Sequence, residues 1–93
     1  MFPQSLFDTA SYAHAQEDRE KYADFIAAVE TLASHLRPVF RLMLKALSNK
    51  NIARKTGLTE ATVKSYVSDI LRHTGCATRG ELAMRAVKAG IRE

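Results

Sequence analysis

The chain has 93 residues, a length that suits one domain, and 46% of them are hydrophobic, which excludes disorder throughout. Its single cysteine excludes an internal disulfide and a zinc site built from several cysteines, and no run reaches the ~20 apolar residues that would span a bilayer. The net charge of +4 is unevenly distributed: residues 1–36 are acidic, whereas residues 37–93 hold twelve Lys and Arg against four Asp and Glu, a balance typical of a polyanion-binding segment.

The N-terminal third of the chain predicts one helix that is acidic outside and aromatic inside. Residues 1–11 show no period and lack the basic start of a signal peptide, so we expect a flexible N-terminus there. Residues 12–36 repeat apolar side chains at three- and four-residue steps, which predicts an amphipathic helix that ends at about Ser34. Its apolar residues Tyr22, Phe25 and Val29 either pack onto the rest of the domain or contact a second copy or a partner protein.

The next two helices are marked by their boundary residues. Proline disfavours helical geometry in the residue before it and is tolerated in the first turn of a helix, so Pro38 predicts a break near residues 35–37 and a second helix over residues 38–46. That helix is apolar almost all round and is expected at the centre of the core. Ser48 predicts the N-cap of a third helix over residues 49–56.

A glycine turn joins the third helix to the fourth. Gly57 stands where a left-handed residue ends a helix, and Thr59 then predicts the cap of a fourth helix over residues 60–73. The expected buried stripe of this helix consists of Val63, Val67, Ile70 and Leu71. The opposite face carries Lys64, Ser65, Ser68 and Arg72.

The last helix is predicted from the N-cap Thr78 to about Ala89. Thr78 and Glu81 have the T-x-x-E spacing of a capping box, in which each side chain bonds the backbone N–H of the other residue. Met84, Val87 and Ile91 are apolar, and they either complete the core or contact a second copy.

The third and fourth helices together have the features of a helix-turn-helix. The helix that reads DNA needs an apolar inner face to hold it rigid and a polar outer face whose side chains reach base edges in the major groove. Serine is a poor helix former, so two serines on the exposed face indicate a constraint other than helix stability. We therefore expect double-stranded DNA as the partner, with Arg72 on a phosphate; a solvated amphipathic helix without a ligand is the alternative.

Four stretches carry a family resemblance: Leu-Ser-Asn-Lys at 47–50, Ile-Ala-Arg at 52–54, Gly-Leu-Thr at 57–59 and Arg-Gly-Glu-Leu at 79–82. With the residues between them, they resemble the LuxR/FixJ-type (GerE-like) DNA-binding domain of bacterial transcription regulators, over about residues 32–91. The resemblance implies an all-α, four-helix LuxR-type helix-turn-helix domain over 37–93, here preceded by one extra N-terminal amphipathic helix over 12–36. It further implies that Lys64, Ser65 and Ser68 face bases. The residues that it places at or near the phosphate backbone are Asn49, Lys50, Thr59, Thr62 and Tyr66.

Two departures from the family pattern affect the expected binding. The family usually opens with Thr-Pro-Arg-Glu, and this chain has Ala-Ser-His-Leu at 33–36, so its first family helix is expected to start late or to join the preceding helix differently. The serines at the base-facing positions also discriminate less than Arg or Asn would. We therefore expect binding as a homodimer, in which two modules add their contacts on paired half-sites.

The sequence as a whole predicts a sequence-specific, DNA-binding transcription regulator of a bacterial cytoplasm. The residues before the domain are too few for a receiver or ligand-binding domain, so we expect neither a sensor domain nor a small-molecule ligand. The three histidines are dispersed and no Gly-rich phosphate loop follows a strand, so we expect no enzyme activity, no cofactor and no metal. The alternative is a protein-interaction module or antiactivator that binds another regulator through the same scaffold or through the N-terminal helix.

Overall fold

The computed structural model describes residues 22–91, and every regular element in that part of the chain is helical. The described part of helix α1 covers residues 22–30, and a 3₁₀ turn at Ser34–Leu36 leads into α2 at Arg37–Leu44. Helices α3, α4 and α5 follow at Asn49–Thr56, Glu60–Thr74 and Arg79–Lys88. The predicted all-α class is confirmed, whereas the predicted flexible N-terminus and the beginning of the predicted first helix lie outside the described residues.

The ends of α3 and α4 are set by the residues that the sequence indicated. The side chain of Ser48 accepts a hydrogen bond from the backbone N–H of Asn51 at 3.2 Å, and that of Thr59 accepts one from Thr62 at 3.1 Å. These bonds satisfy donors that a helix N-terminus leaves open. Helix α3 ends at Gly57, whose φ of +78° lies in the left-handed region that costs glycine little.

Helix α5 begins with a variant of the predicted capping box. The Thr78 side chain accepts from the backbone N–H of Glu81 at 3.1 Å, as expected. The Glu81 carboxylate, however, accepts from the backbone N–H of Ala77 at 2.6 Å, one residue before the cap. This backbone hydrogen bond lowers the pKa of Glu81, and Arg85 one turn later adds to the effect.

The core lies between α2 and the other helices, because α2 packs against α3, α4 and α5. The largest fully buried side chains come from these four helices and are Val39, Phe40, Ile52, Val63, Ile70 and Leu82. Helix α1 belongs to the same core, to which it contributes Phe25 and Val29, and Leu32 follows just after it. The helical domain of residues 37–91 therefore shares its interior with the helix that precedes it.

The junction between α1 and α2 differs from the prediction. Helix α1 ends at Glu30 rather than at about Ser34, and residues 31–33 form a turn before the 3₁₀ segment. The Arg37 guanidinium donates to the carbonyl oxygens of Val29 and Glu30 at 3.2 and 2.8 Å. Because a distant side chain satisfies these terminal carbonyls, the helix can stop early without leaving them open. Pro38 lies in the first turn of α2, as predicted.

The loop between α2 and α3 contains an unusual backbone conformation. Ala46 has a φ of +61° and is the one non-glycine residue with positive φ in the described part of the chain. An L-residue with a Cβ atom pays a steric cost in this region. Helix α2 consequently ends at Leu44, two residues before the predicted end.

No helix within residues 22–91 has the length and apolar character that crossing a membrane requires.

Candidate nucleic-acid interface

Helices α3 and α4 are joined by a turn of three residues, 57–59, and pack against each other. The buried stripe of α4 consists of Val63, Val67, Ile70 and Thr74. Leu71, predicted in this stripe, is half-buried, and Thr74 takes the fourth position. The Thr74 hydroxyl donates to the carbonyl oxygen of Ile70 at 2.8 Å, so its burial leaves no polar group without a partner. The stripe holds α4 firmly on the core and determines which of its faces meets solvent.

The three residues predicted to face bases lie on the exposed side of α4. Lys64, Ser65 and Ser68 are all exposed, and their side chains make no hydrogen bond or ion pair with other residues of the described part. An ammonium group and two hydroxyls are thus available to an external ligand. Lysine donates to the acceptors of guanine in the major groove, and serine donates to or accepts from either base type.

The threonines that begin α4 form a small polar cluster. The Thr59 hydroxyl donates to the hydroxyl oxygen of Thr62 at 2.9 Å, while it accepts from the Thr62 backbone. Thr59 is exposed and Thr62 is half-buried. Both were predicted near the phosphate backbone, and their hydroxyl groups are held at the same end of α4.

Tyr66 is positioned by an aromatic contact from outside its helix. Its ring is half-buried and meets the ring of His35 edge-on, with 5.2 Å between centroids and an angle of 71° between planes. Beside this pair lies an open, mainly apolar groove of about 510 Å³, lined by α2, by the end of α3 and by Tyr66 itself. Its rim carries Arg41, Lys45 and Lys55. Arg41 and Lys45 are one helical turn apart, whereas Lys55 comes from α3, so it is the fold that brings Lys55 to the other two.

Arg72 is the predicted phosphate contact nearest the C-terminal end of α4. It lies eight residues beyond Lys64, which is about 12 Å along a helix axis. Its guanidinium is 3.4 Å from the carboxylate of Asp69 and both groups are exposed. An exposed pair of this kind contributes little stability, so it does not prevent Arg72 from turning to an anion.

The N-terminal end of α3 carries Asn49, which is half-buried, and Lys50, which is exposed. The Asn49 side chain accepts a hydrogen bond from Arg79, the first residue of α5, with 2.6 Å between Nη1 and Oδ1. The other terminal nitrogen of Arg79 donates to the carbonyl oxygen of Leu47. Arg79 belongs to a stretch that carries the family resemblance, but no role was predicted for it, because nothing in a local pattern indicates a contact across thirty residues.

The residues predicted for dimer or partner contact divide into two groups. Tyr22, Phe25 and Val29 are 8%, 3% and 5% exposed and are covered by the chain itself, which favours the alternative that α1 packs onto its own domain. On α5, Met84 is 55% exposed and Val87 is 77% exposed. The third C-terminal residue, Ile91, is half-buried against the core. Among residues 22–91, only Met84 and Val87 are therefore large hydrophobic residues that are exposed to solvent.

The described residues provide few groups for metal binding or for thiol chemistry. No group of three or more His, Cys, Asp or Glu side chains within residues 22–91 could hold a metal ion. The thiol of Cys76 is buried, with its sulfur 3.9 Å from the carbonyl oxygen of Thr74. A small buried thiol in such surroundings acts as a core residue.

Comparisons with known proteins match the sequence of the helical domain. The family model described as bacterial regulatory proteins, luxR family, matches residues 30–86, which include α2, α3 and α4 and most of α5. The two-component response regulator PprB of Pseudomonas aeruginosa is 39% identical over 62 residues, which are 67% of this chain and 22% of that protein. The chain thus spans less than a quarter of that relative. No solved structure matches it.

Proposed function

Because the chain belongs to the luxR family of bacterial regulatory proteins, whose helix-turn-helix domain binds DNA in transcription regulation, we propose that it recognises specific sequences of duplex DNA with α4 in the major groove. One observation carries this proposal. Lys64, Ser65 and Ser68 share the exposed side of a helix whose other side is locked into the core, and none of the three has a partner in the described part of the chain.

The expected contacts fall into two classes, which differ in how their affinity depends on DNA sequence and on salt concentration. Contacts from Lys64, Ser65 and Ser68 to base edges would discriminate between sequences, each good bidentate pair by about 1–3 kcal/mol. Contacts from Lys50, Thr59 and the other polar groups near the helix ends would bind phosphates of any sequence and weaken as salt rises. The second class fits the excess of Lys and Arg over residues 37–93.

The limited chemistry of the base-facing positions supports binding as a homodimer. Two serines and one lysine provide modest discrimination, and a second module on an adjacent half-site adds its contacts through proximity. The exposed side chains of Met84 and Val87 on α5 support a self-association surface on that helix. Met84 and Val87 are three residues apart, so they lie on the same side of α5.

A second function, the binding of another regulator as a protein-interaction module, has one observation in its favour. The open groove beside His35 and Tyr66 has an apolar lining and a basic rim, and it lies next to α4 rather than on its exposed side. An acidic protein segment would fit such a surface, and its binding would not require Lys64.

Selection of bound fragments from random duplex DNA, followed by titration of a selected fragment at two salt concentrations, tests the proposal. We expect enrichment of a sequence motif and an affinity that falls steeply with salt, because phosphate contacts release counterions. Lys64→Ala should weaken the selected fragment more than a scrambled one. The absence of any salt-sensitive binding at micromolar protein, together with co-purification of a larger regulator, would contradict the proposal and favour the interaction module.

A further inference from the structure

The Arg79 guanidinium group donates a hydrogen bond to the side-chain amide of Asn49. A guanidinium group has only donors, and the Asn side chain has one acceptor oxygen and one NH₂ group, so the oxygen must face Arg79. The distance of 2.6 Å from Nη1 to Oδ1 agrees with this assignment. The NH₂ group therefore points away from Arg79, which leaves both of its hydrogens for another acceptor.

The Asn49 NH₂ group is accessible to solvent. It makes no hydrogen bond with another described residue, and no side-chain nitrogen or oxygen in the described part is both buried and without a partner. Since this NH₂ group has no partner, it reaches solvent. The next residue, Lys50, is exposed and adds a positive charge to the same end of α3.

The same guanidinium also fixes the backbone that carries Asn49. It donates to the carbonyl oxygen of Leu47, which immediately precedes the N-cap Ser48 of α3. Arg79 itself is the first residue of α5, just after the cap Thr78. One planar group thus ties the start of α5 to the loop before α3 and to the first side chain of α3.

We propose that Arg79 is a positioning residue for DNA binding, which orients the Asn49 amide so that its NH₂ group, and not its oxygen, faces a phosphate. A phosphate oxygen is an acceptor only, so it would bind the NH₂ group and repel the carbonyl oxygen of a reversed amide. The proposal rests on the DNA-binding function proposed above, and it gives Arg79 a role without contact with DNA.

Asn49→Asp separates this role from fold stability. The carboxylate still accepts from Arg79 and adds an ion pair, so the melting temperature is expected to stay at or above that of the wild type. Both donors are lost, so affinity for a selected DNA fragment should fall roughly tenfold or more. Asn51→Asp, at an exposed position of the same helix, controls for the added negative charge and should lower affinity much less.

A double-mutant cycle tests the dependence on Arg79. Arg79→Met should weaken binding roughly threefold to tenfold in the wild type, but by about twofold or less in the Asn49→Ala background, because the group to be oriented is then absent. Arg85→Met removes the same charge from the same helix and should not depend on Asn49. Equal effects of Arg79→Met in both backgrounds, or wild-type affinity of Asn49→Asp, would overturn the inference while the DNA-binding function stands. A wild-type chain without salt-sensitive DNA binding would overturn both.

Discussion

The Nε2 atom of His73, in the last turn of α4, lies 2.9 Å from the carbonyl oxygen of Ala28 in α1 and 3.1 Å from the hydroxyl oxygen of Thr31. A carbonyl oxygen can only accept, so Nε2 carries the proton that joins the two helices. Together with the two hydrogen bonds from Arg37, this contact closes the C-terminal end of α1 against the domain. The end of the proposed DNA-reading helix is thereby attached to a helix that mostly precedes the family match.

Replacement of His73 by phenylalanine should lower the free energy of unfolding by about 1 kcal/mol, because a ring of similar shape remains but its donor is lost. Urea denaturation measures the change. Arg72→Met is the matched control on the neighbouring residue, and its exposed pair with Asp69 predicts almost no effect. Equal losses in the two variants would show that the contact between His73 and Ala28 contributes nothing specific.

Ala46→Gly should raise the free energy of unfolding by about 1 kcal/mol, since glycine removes the steric cost of a left-handed alanine and part of that gain is offset by a more flexible unfolded chain. The same substitution at Ala27, an exposed position inside α1, should have the opposite sign, with a loss of about 1 kcal/mol. Thermal denaturation of both variants measures the difference. A destabilised Ala46→Gly protein would contradict the positive φ of this residue.

Glu81→Gln should destabilise the protein at neutral pH and have little effect in acid. The hydrogen bond from Ala77 lowers the folded-state pKa of Glu81, so its stabilising contribution is present above the unfolded-state pKa and is lost as pH falls through the folded-state pKa. Melting temperatures across this acidic range report the effect. Glu60→Gln removes a first-turn charge from α4 and serves as the control. A difference between Glu81→Gln and the wild type that persists unchanged in acid would refute the linkage.

Val87→Asp should prevent self-association without loss of folding, because a side chain that is 77% exposed contributes little to the core. At one and the same concentration, sedimentation should show a dimer for the wild type and a monomer for the variant. Its affinity for a paired site should fall, while that for a single half-site is unchanged. Ala27→Asp is the control at an exposed position of another helix. If Val87→Asp sediments as the wild type does, the dimer surface does not include this part of α5.

Lys64→Ala and Lys50→Ala should differ in how they affect binding. The first should weaken a selected sequence by about 1–3 kcal/mol and relax specificity at one base position. The second should weaken all sequences alike and reduce the salt slope by ~1, which corresponds to one lost phosphate contact. Titrations of selected and scrambled DNA over a salt series distinguish the two. Wild-type affinity in both variants would show that α4 is not in the groove.

The ends of α3 and α4 could be predicted because local chemistry determines them. Ser48, Gly57 and Thr59 act on backbone groups within a few residues, and the same short-range rules apply in any fold. The exposed side of α4 could be predicted for a similar reason, since its buried stripe follows the helical period.

Features that depend on contacts between distant residues could not be predicted. The early end of α1 depends on Arg37 and His73, which reach it from other elements, and the orientation of Asn49 depends on Arg79. The left-handed Ala46 was missed because no glycine marks that turn. Periodicity also could not decide whether the apolar face of α1 meets its own domain or a partner, since both would bury the same residues.

The packing of α1 has a practical consequence for work on excised pieces of this protein. A fragment that begins at residue 30, where the family match starts, loses the side chains of Tyr22, Phe25 and Val29 from the interior. Buried side chains of this size contribute about 1.5–3 kcal/mol each, and a whole domain is stable by only ~5–15 kcal/mol. Such a fragment would expose the apolar surface that α1 covers, and a larger fraction of it would be unfolded. It would therefore bind DNA weakly because of lost stability and not because of lost contacts with DNA. Pieces prepared for binding studies should therefore begin ahead of Tyr22.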